Sequence, residues 1–140
     1  MRRIASSEPQ PAMNRPAQPR RARVCLVDDD ESVREALPDL LGELGFAATA
    51  FASAEEFLAS GEAHGAECLI LDVAMPGMSG PELQLELKQR GVGVPIVFIT
   101  AHSDDALFPR LMREGATACL LKPFSEAALF DALQAALKPR

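Results

Sequence analysis

The chain has 140 residues, a net charge of −6 and 48% hydrophobic residues, which suits one ordinary domain with its own core rather than two. It has no Trp, no Tyr and seven Phe, so a surface that stacks nucleobases on aromatic rings has little to work with.

The charge is unevenly divided. Residues 1–23 hold six Arg against one Glu, and residues 24–140 hold eight basic against nineteen acidic side chains. The basic segment is rich in Pro and Gln and poor in apolar residues, so it cannot bury enough surface to offset its ordering entropy. Residues 1–22 are therefore predicted to be a disordered tail, and residues 23–140 one folded domain. The acidity of that domain argues against nucleic acid as a direct partner. No apolar run follows the basic start, and no stretch approaches the ~20 apolar residues of a membrane span. A cytoplasmic domain with no membrane partner is the expectation. Cys25, Cys68 and Cys119 lack metal-ligand spacing, and each sits in or beside an apolar run, which reads as three buried thiols.

From Val24 onward, short apolar runs alternate with helical stretches. Val24–Val27 is the first strand, ended by Asp28, Asp29 and Asp30, and a helix over about Ser32–Leu44 stops at Gly45. Ala47–Phe51 is a second, weaker strand. Ser53 and Glu56 form a capping box that opens a short helix. Cys68–Leu71 is the third strand, ended by Asp72. Gly80 and Pro81 begin a helix with Leu83, Leu85 and Leu87 on its apolar side, closed by Gly91. Pro95–Ile99 is the fourth strand, ended by Thr100, and a helix near Asp105–Glu114 closes on Gly115. Cys119–Leu121 is the fifth strand, ended by Lys122 and Pro123, and Ser125 caps a last helix to about Leu137. Continuous apolar strands separated by helices predict an α/β fold, a doubly wound parallel sheet of five strands covered on both faces by five helices.

Four of the five strands end in a polar residue. In a parallel sheet all carboxyl ends share one edge, where such folds place their ligands. Asp28, Asp29, Asp72, Thr100 and Lys122 are thereby brought together from distant parts of the chain, whereas Asp30 reads as a helix cap. Two unit charges ~4 Å apart interact by ~4 kcal/mol at an effective dielectric of 20, so the carboxylates need cations. Hard oxygen donors in this number favour Mg2+, which accepts phosphate oxygens, and Lys122 adds a point charge suited to phosphate. These are the parts phosphoryl transfer needs, with Asp72 as nucleophile.

The segments Val27-Asp28-Asp29-Asp30, Asp72 to Gly80, Ile99-Thr100-Ala101 and Leu121-Lys122-Pro123-Phe124 resemble those of the CheY-like receiver domain of two-component response regulators. The likeness spans about residues 23–138. Around Thr100-Ala101-His102 and Met112–Gly115 the chain is most similar to receivers of the nitrogen-fixation regulator (FixJ) type. The resemblance implies strand order 2-1-3-4-5 and phosphorylation of Asp72 by a histidine kinase, a phosphotransfer protein or a small phosphodonor. It implies that Asp29 binds Mg2+ directly and Asp28 largely through water, with Asp72 and the Ala74 backbone carbonyl as further ligands. Thr100 and Lys122 would hold phosphoryl oxygens, Ala74 and His102 would tune dephosphorylation, and the Lys122–Pro123 peptide would be cis. The chain would catalyse only its own phosphorylation and dephosphorylation.

Three departures from the family pattern bear on output. Cys119 stands where an aromatic residue commonly swings inward, which predicts altered coupling between Thr100 and the output face. Pro109 falls inside the expected fourth helix and predicts a short or mobile one, and Pro38 predicts a kink in the first. No output domain is expected after the last helix. The expectation is a stand-alone regulator that signals through changed contacts with a downstream protein, or with a second copy of itself, at the face formed by the last two helices and the strand between them. Phe108, Leu111, Leu129 and Phe130 are assigned to that region, most of them as core. The competing readings are a degenerate receiver that binds partners without phosphorylation and a Mg2+-dependent phosphotransferase or phosphatase acting on a small molecule.

Overall fold

A computed structural model describes residues 20–102 and 104–138. The predicted disordered tail lies outside these residues, except for its last three. Five strands alternate with five helices: β1 Arg23–Val27, α1 Glu31–Glu43, β2 Ala47–Phe51, α2 Ala54–Ser60, β3 Cys68–Asp72, α3 Gly80–Gln89, β4 Ile96–Thr100, α4 Leu107–Arg113, β5 Ala118–Leu121 and α5 Glu126–Leu137. One 3-10 turn, Glu62–His64, was not foreseen. All strand pairs are parallel, in the order β2-β1-β3-β4-β5. The fold is the expected doubly wound sheet.

Side-chain alternation along the buried strands feeds two cores. Cys25, Val27, Leu69, Leu71 and Phe98 pack with α2, α3 and α4 through Phe57, Leu83, Leu87 and Leu111. Val24, Leu26, Cys68, Ile70, Val97 and Ile99 pack with α1 and α5 through Leu37, Leu41, Leu129 and Leu133. Both faces of the central strands are covered, which is why they read as unbroken apolar runs. Cys25 and Cys68 are buried, but they face opposite cores, so they cannot join across the sheet. Burial pushes the two thiols up to about 11 and about 12. They are packing residues.

The helix starts follow local hydrogen-bonding chemistry. Asp30 caps α1 through Ser32 N, and Ser125 caps α5 through Ala128 N. At α2, Ser53 accepts from Glu56 N as predicted, but the Glu56 carboxylate reaches back to Ala52 N rather than to the cap residue. The complete reciprocal capping box is at α3, between Ser79 and Glu82. Leu85, placed with Leu83 and Leu87 by the sequence reading, is instead 54% exposed. Two residues from each of them along a helix, it turns to the opposite side.

Both helical prolines are accommodated. The Asp104 side chain accepts from Ala106 N, and its carbonyl accepts from Leu107 N, a local turn that uses Asp104 before any helix begins. The helix α4 therefore starts at Leu107 and has only seven residues. Pro109 falls in its first turn, where the missing N–H has no intrahelical partner to lose. Pro38 lies inside α1, which continues to Glu43. The Lys122–Pro123 peptide is cis. Arg20, at the end of the basic segment, donates two 2.8 Å hydrogen bonds to Glu67, ahead of β3. With Arg23 N this holds the Glu67 carboxyl down to about 2.

Candidate functional site

The carboxyl ends of β1, β3, β4 and β5 meet at one sheet edge. Asp28 follows β1 and is fully buried, Asp72 ends β3 and is 6% exposed, and Thr100 ends β4 and is 1% exposed. Asp29 is exposed beside them. Carboxylate oxygens of Asp28, Asp29 and Asp72 lie within 4.8 Å of one another.

Lys122 reaches into this cluster from the end of β5. Its Nζ donates a 2.8 Å hydrogen bond to Asp28 Oδ2 and lies 3.7 Å from Asp72 Oδ1. Register explains the reach. The β4–β5 pairing sets Leu121 opposite Thr100, and Lys122 N donates to the Thr100 carbonyl at 2.7 Å. Lys122 is thereby fixed one residue past the sheet edge.

One ammonium does not balance three carboxylates. Burial pushes the Asp72 carboxyl up to about 7, and the negative charges of Asp28 and Asp29 add to the effect while Lys122 opposes it. On Lys122 itself, burial works to lower the ammonium pKa, but the hydrogen bond and charge of Asp28, with Asp72, outweigh it and leave the group raised. The cluster is electrostatically unfinished without a further cation. Its donors are hard carboxylate oxygens on an open edge, the chemistry a small divalent ion such as Mg2+ takes.

Several backbone contacts stiffen the edge. Asp28 Oδ1 accepts from Asp30 N, and the Asp28 carbonyl accepts from the half-buried Arg34 on α1 at 3.0 Å. Val73 N donates to the Ile99 carbonyl, and Gly80 N closes the loop after Asp72 by donating to the Val73 carbonyl at 2.9 Å. A Cβ on Gly80 would stand 2.4 Å from the Asp72 carbonyl, so only glycine lets α3 start against the strand that carries the carboxylate. Thr100 Oγ1 accepts from His102 N at 3.1 Å, which leaves the hydroxyl hydrogen free to donate outward.

The remaining predicted residues surround this centre. Ala74 is exposed in the loop after Asp72, and His102 is exposed after Thr100. Cys119 is half-buried on β5, paired in register with Phe98 and packed on the α2–α4 side. Of the aromatic and aliphatic residues assigned near the last two helices, Leu111 and Leu129 are fully buried. Phe130 instead rests on Phe46, with ring centroids 6.3 Å apart, on the side of the α1–β2 connection. Sequence reasoning missed Arg34, whose contact is to a backbone carbonyl. It also missed Glu55 of α2, whose carboxylate accepts from Met78 N.

Residues 24–134 match the model of the response regulator receiver domain. The chain is 42% identical over 116 residues to nodulation protein W of Bradyrhizobium diazoefficiens, covering 83% of this chain and 51% of that protein. It is 42% identical over 114 residues to the transcriptional regulatory protein FixJ of Azorhizobium caulinodans, covering 81% and 54%. The chain thus spans about half the length of these curated relatives. The crystal structure of FixJ-N superposes with a TM-score of 0.76 at 35% identity, over 84% of this chain and 94% of that one. By sequence, strand order and the composition of its sheet edge, the chain belongs to the response regulator receiver domain family.

Proposed function

We propose that the chain is a phosphorylation-driven switch in which Asp72 accepts a phosphoryl group, and that it signals through changed protein contacts. The observation that carries this reading is the cluster of Asp28, Asp29 and Asp72 bridged from within by Lys122.

Asp28, Asp29, Asp72 and the Ala74 carbonyl would hold Mg2+, which when bound neutralises the carboxylates and the charge on a phosphoryl group. In the transfer, an Asp72 carboxylate oxygen forms a bond to phosphorus. The bond from phosphorus to the donor breaks at the same centre, and the departing donor group keeps the electron pair and takes up a proton from solvent. Lys122 is already 3.7 Å from Asp72, placed to exchange part of its pairing with Asp28 for a phosphoryl oxygen. Thr100 offers its hydroxyl hydrogen to another oxygen. Catalysis on this plan is positioning and charge neutralisation. The exposed Ala74 and His102 border the acyl phosphate and would set how readily water reaches it.

The proposed donor is a histidine kinase or phosphotransfer protein. A groove of about 360 Å3 beside Lys122, lined by Val33, Ala36, Leu37, Leu40, Pro123 and Phe124, offers such a protein donor an apolar surface next to the site. For output, Leu121 is 43% exposed directly across the β4–β5 register from Thr100, and Met112 on α4 is 45% exposed. A shift of Thr100 toward a phosphoryl group would be felt at Leu121, and a partner protein or a second copy would bind at such exposed apolar residues. With Cys119 in place of an aromatic side chain, the neighbouring volume does not open and close with Thr100, and coupling differs accordingly.

Intact mass spectrometry after incubation with acetyl phosphate tests the reading. Wild type should gain one phosphoryl group in the presence of Mg2+ and none in chelator. Asp72→Asn should gain none in either. A degenerate receiver would gain none under any condition, with acetyl phosphate or with a kinase.

A further inference from the structure

The loop from Val73 to Ser79 leaves Asp72, carries Ala74 and enters α3. Its base is closed by Gly80 N on the Val73 carbonyl. Its far end is held differently. Glu55 Oε2 accepts a 2.9 Å hydrogen bond from Met78 N, the one side-chain hydrogen bond, among the described residues, that ties residues 73–78 to an element other than α3.

The contact is built from both sides. Gly77 has φ 74°, a left-handed conformation that side chains other than glycine rarely adopt, and a Cβ there would stand 2.7 Å from Glu55 Oε2. The loop thus turns its backbone onto the carboxylate with no side chain between them. Glu55 sits in the first turn of α2, a helix start fixed by Ser53 Oγ accepting from Glu56 N and by Glu56 holding Ala52 N. The clamp has a rigid base. The hydrogen bond from Met78 also holds the Glu55 carboxyl below its usual range, so the group is ionised and a full acceptor at neutral pH.

We propose that Glu55 is a positioning residue for the Mg2+ and phosphoryl site, setting the loop that presents the Ala74 carbonyl by holding Met78 N from α2. This rests on the reading of the Asp28–Asp29–Asp72 cluster as a Mg2+ site. Glu55 does not touch that cluster, and its effect passes through the loop backbone. Groups that orient ligands in this indirect way commonly change metal affinity by 10–100-fold when removed.

The test is a Mg2+ titration of the full chain, followed by backbone amide shifts, in wild type and in Glu55→Ala, Glu55→Asp and Glu55→Gln. Gln keeps the reach and an accepting oxygen but drops the charge, whereas Asp keeps the charge and loses the reach. About tenfold weaker Mg2+ binding is expected for Glu55→Ala and Glu55→Asp, with Glu55→Gln near wild type. The Met78 amide shift should move only in the two weakened variants. Thermal midpoints in chelator should stay close across the set, because Glu55 is exposed. Equal Mg2+ affinity in all four proteins overturns the positioning role, as does weakening in Glu55→Gln with Glu55→Asp unchanged, which would mark a charge effect. Absence of Mg2+ binding in wild type overturns the cation site itself and the positioning role with it.

Discussion

Lys122→Ala should destabilise the metal-free protein by about 1–3 kcal/mol. Asp28 is fully buried and takes its 2.8 Å charge-assisted hydrogen bond from Lys122 Nζ. Removing one partner of a buried pair typically costs 3–5 kcal/mol because the other charge is left uncompensated. The figure is reduced here because the Lys122 side chain is 20% exposed, so solvent already screens part of the pairing. The loss also leaves Asp28, Asp29 and Asp72 without their internal cation, so it is greatest in chelator. Urea unfolding would show a lower midpoint with an unchanged slope, and saturating Mg2+ should restore part of the difference. An unchanged midpoint in chelator would mean that Lys122 contributes nothing to holding the acidic edge.

Asp72→Asn should do the opposite and stabilise the metal-free protein at pH 8. The Asp72 carboxyl is raised from 3.8 to about 7, first by burial and then by the charge of Asp28. A folded-state value above the unfolded one means the native state binds the extra proton. The associated stability is fully present below pH ~4 and is lost as pH rises to about 7. At pH 8 the native protein therefore carries the whole cost of an ionised, crowded carboxylate, and the amide removes it. A tenfold change in proton affinity is worth ~1.4 kcal/mol, and solvent at the open edge screens part of the effect. The gain should be on the order of 2 kcal/mol, a rise in Tm of roughly 6–10 °C. It should shrink toward pH 5, where wild type is already protonated. It should shrink again with Mg2+, which stabilises wild type by mass action. A Tm for Asp72→Asn at or below wild type at pH 8 in chelator would refute the crowded-carboxylate account.

Much of this edge was legible in the sequence for one physical reason. Buried parallel strands are written as unbroken apolar runs, and the polar residue that stops each run is the residue at the sheet's carboxyl edge. Asp28, Asp72, Thr100 and Lys122 are grouped by the sequence pattern alone, and the fold brings them together. Even the weak β2 was bounded correctly, because Gly45 before it and the helix-capping Ser53 after it frame it. What escaped was set by backbone geometry. The Glu55 contact to Met78 N and the Arg34 contact to the Asp28 carbonyl join a side chain to a peptide group, and a peptide group leaves no residue-type signature at its own position. The fourth helix, expected from about Asp105, starts at Leu107 because Asp104 closes a turn through Ala106 N and Leu107 N ahead of it. The Ser79–Glu82 capping box did carry a visible signal. It was overshadowed by Gly80 and Pro81, which also mark a helix start.

Whether this edge makes Asp72 a phosphoacceptor is tested most directly by trapping the modified residue. After reaction with acetyl phosphate and Mg2+, borohydride reduces an aspartyl phosphate to homoserine, which peptide mass spectrometry locates. Homoserine at position 72 alone is the expected result, absent when Mg2+ is chelated. Homoserine at Asp28 or Asp29, or none at any position, would contradict the account.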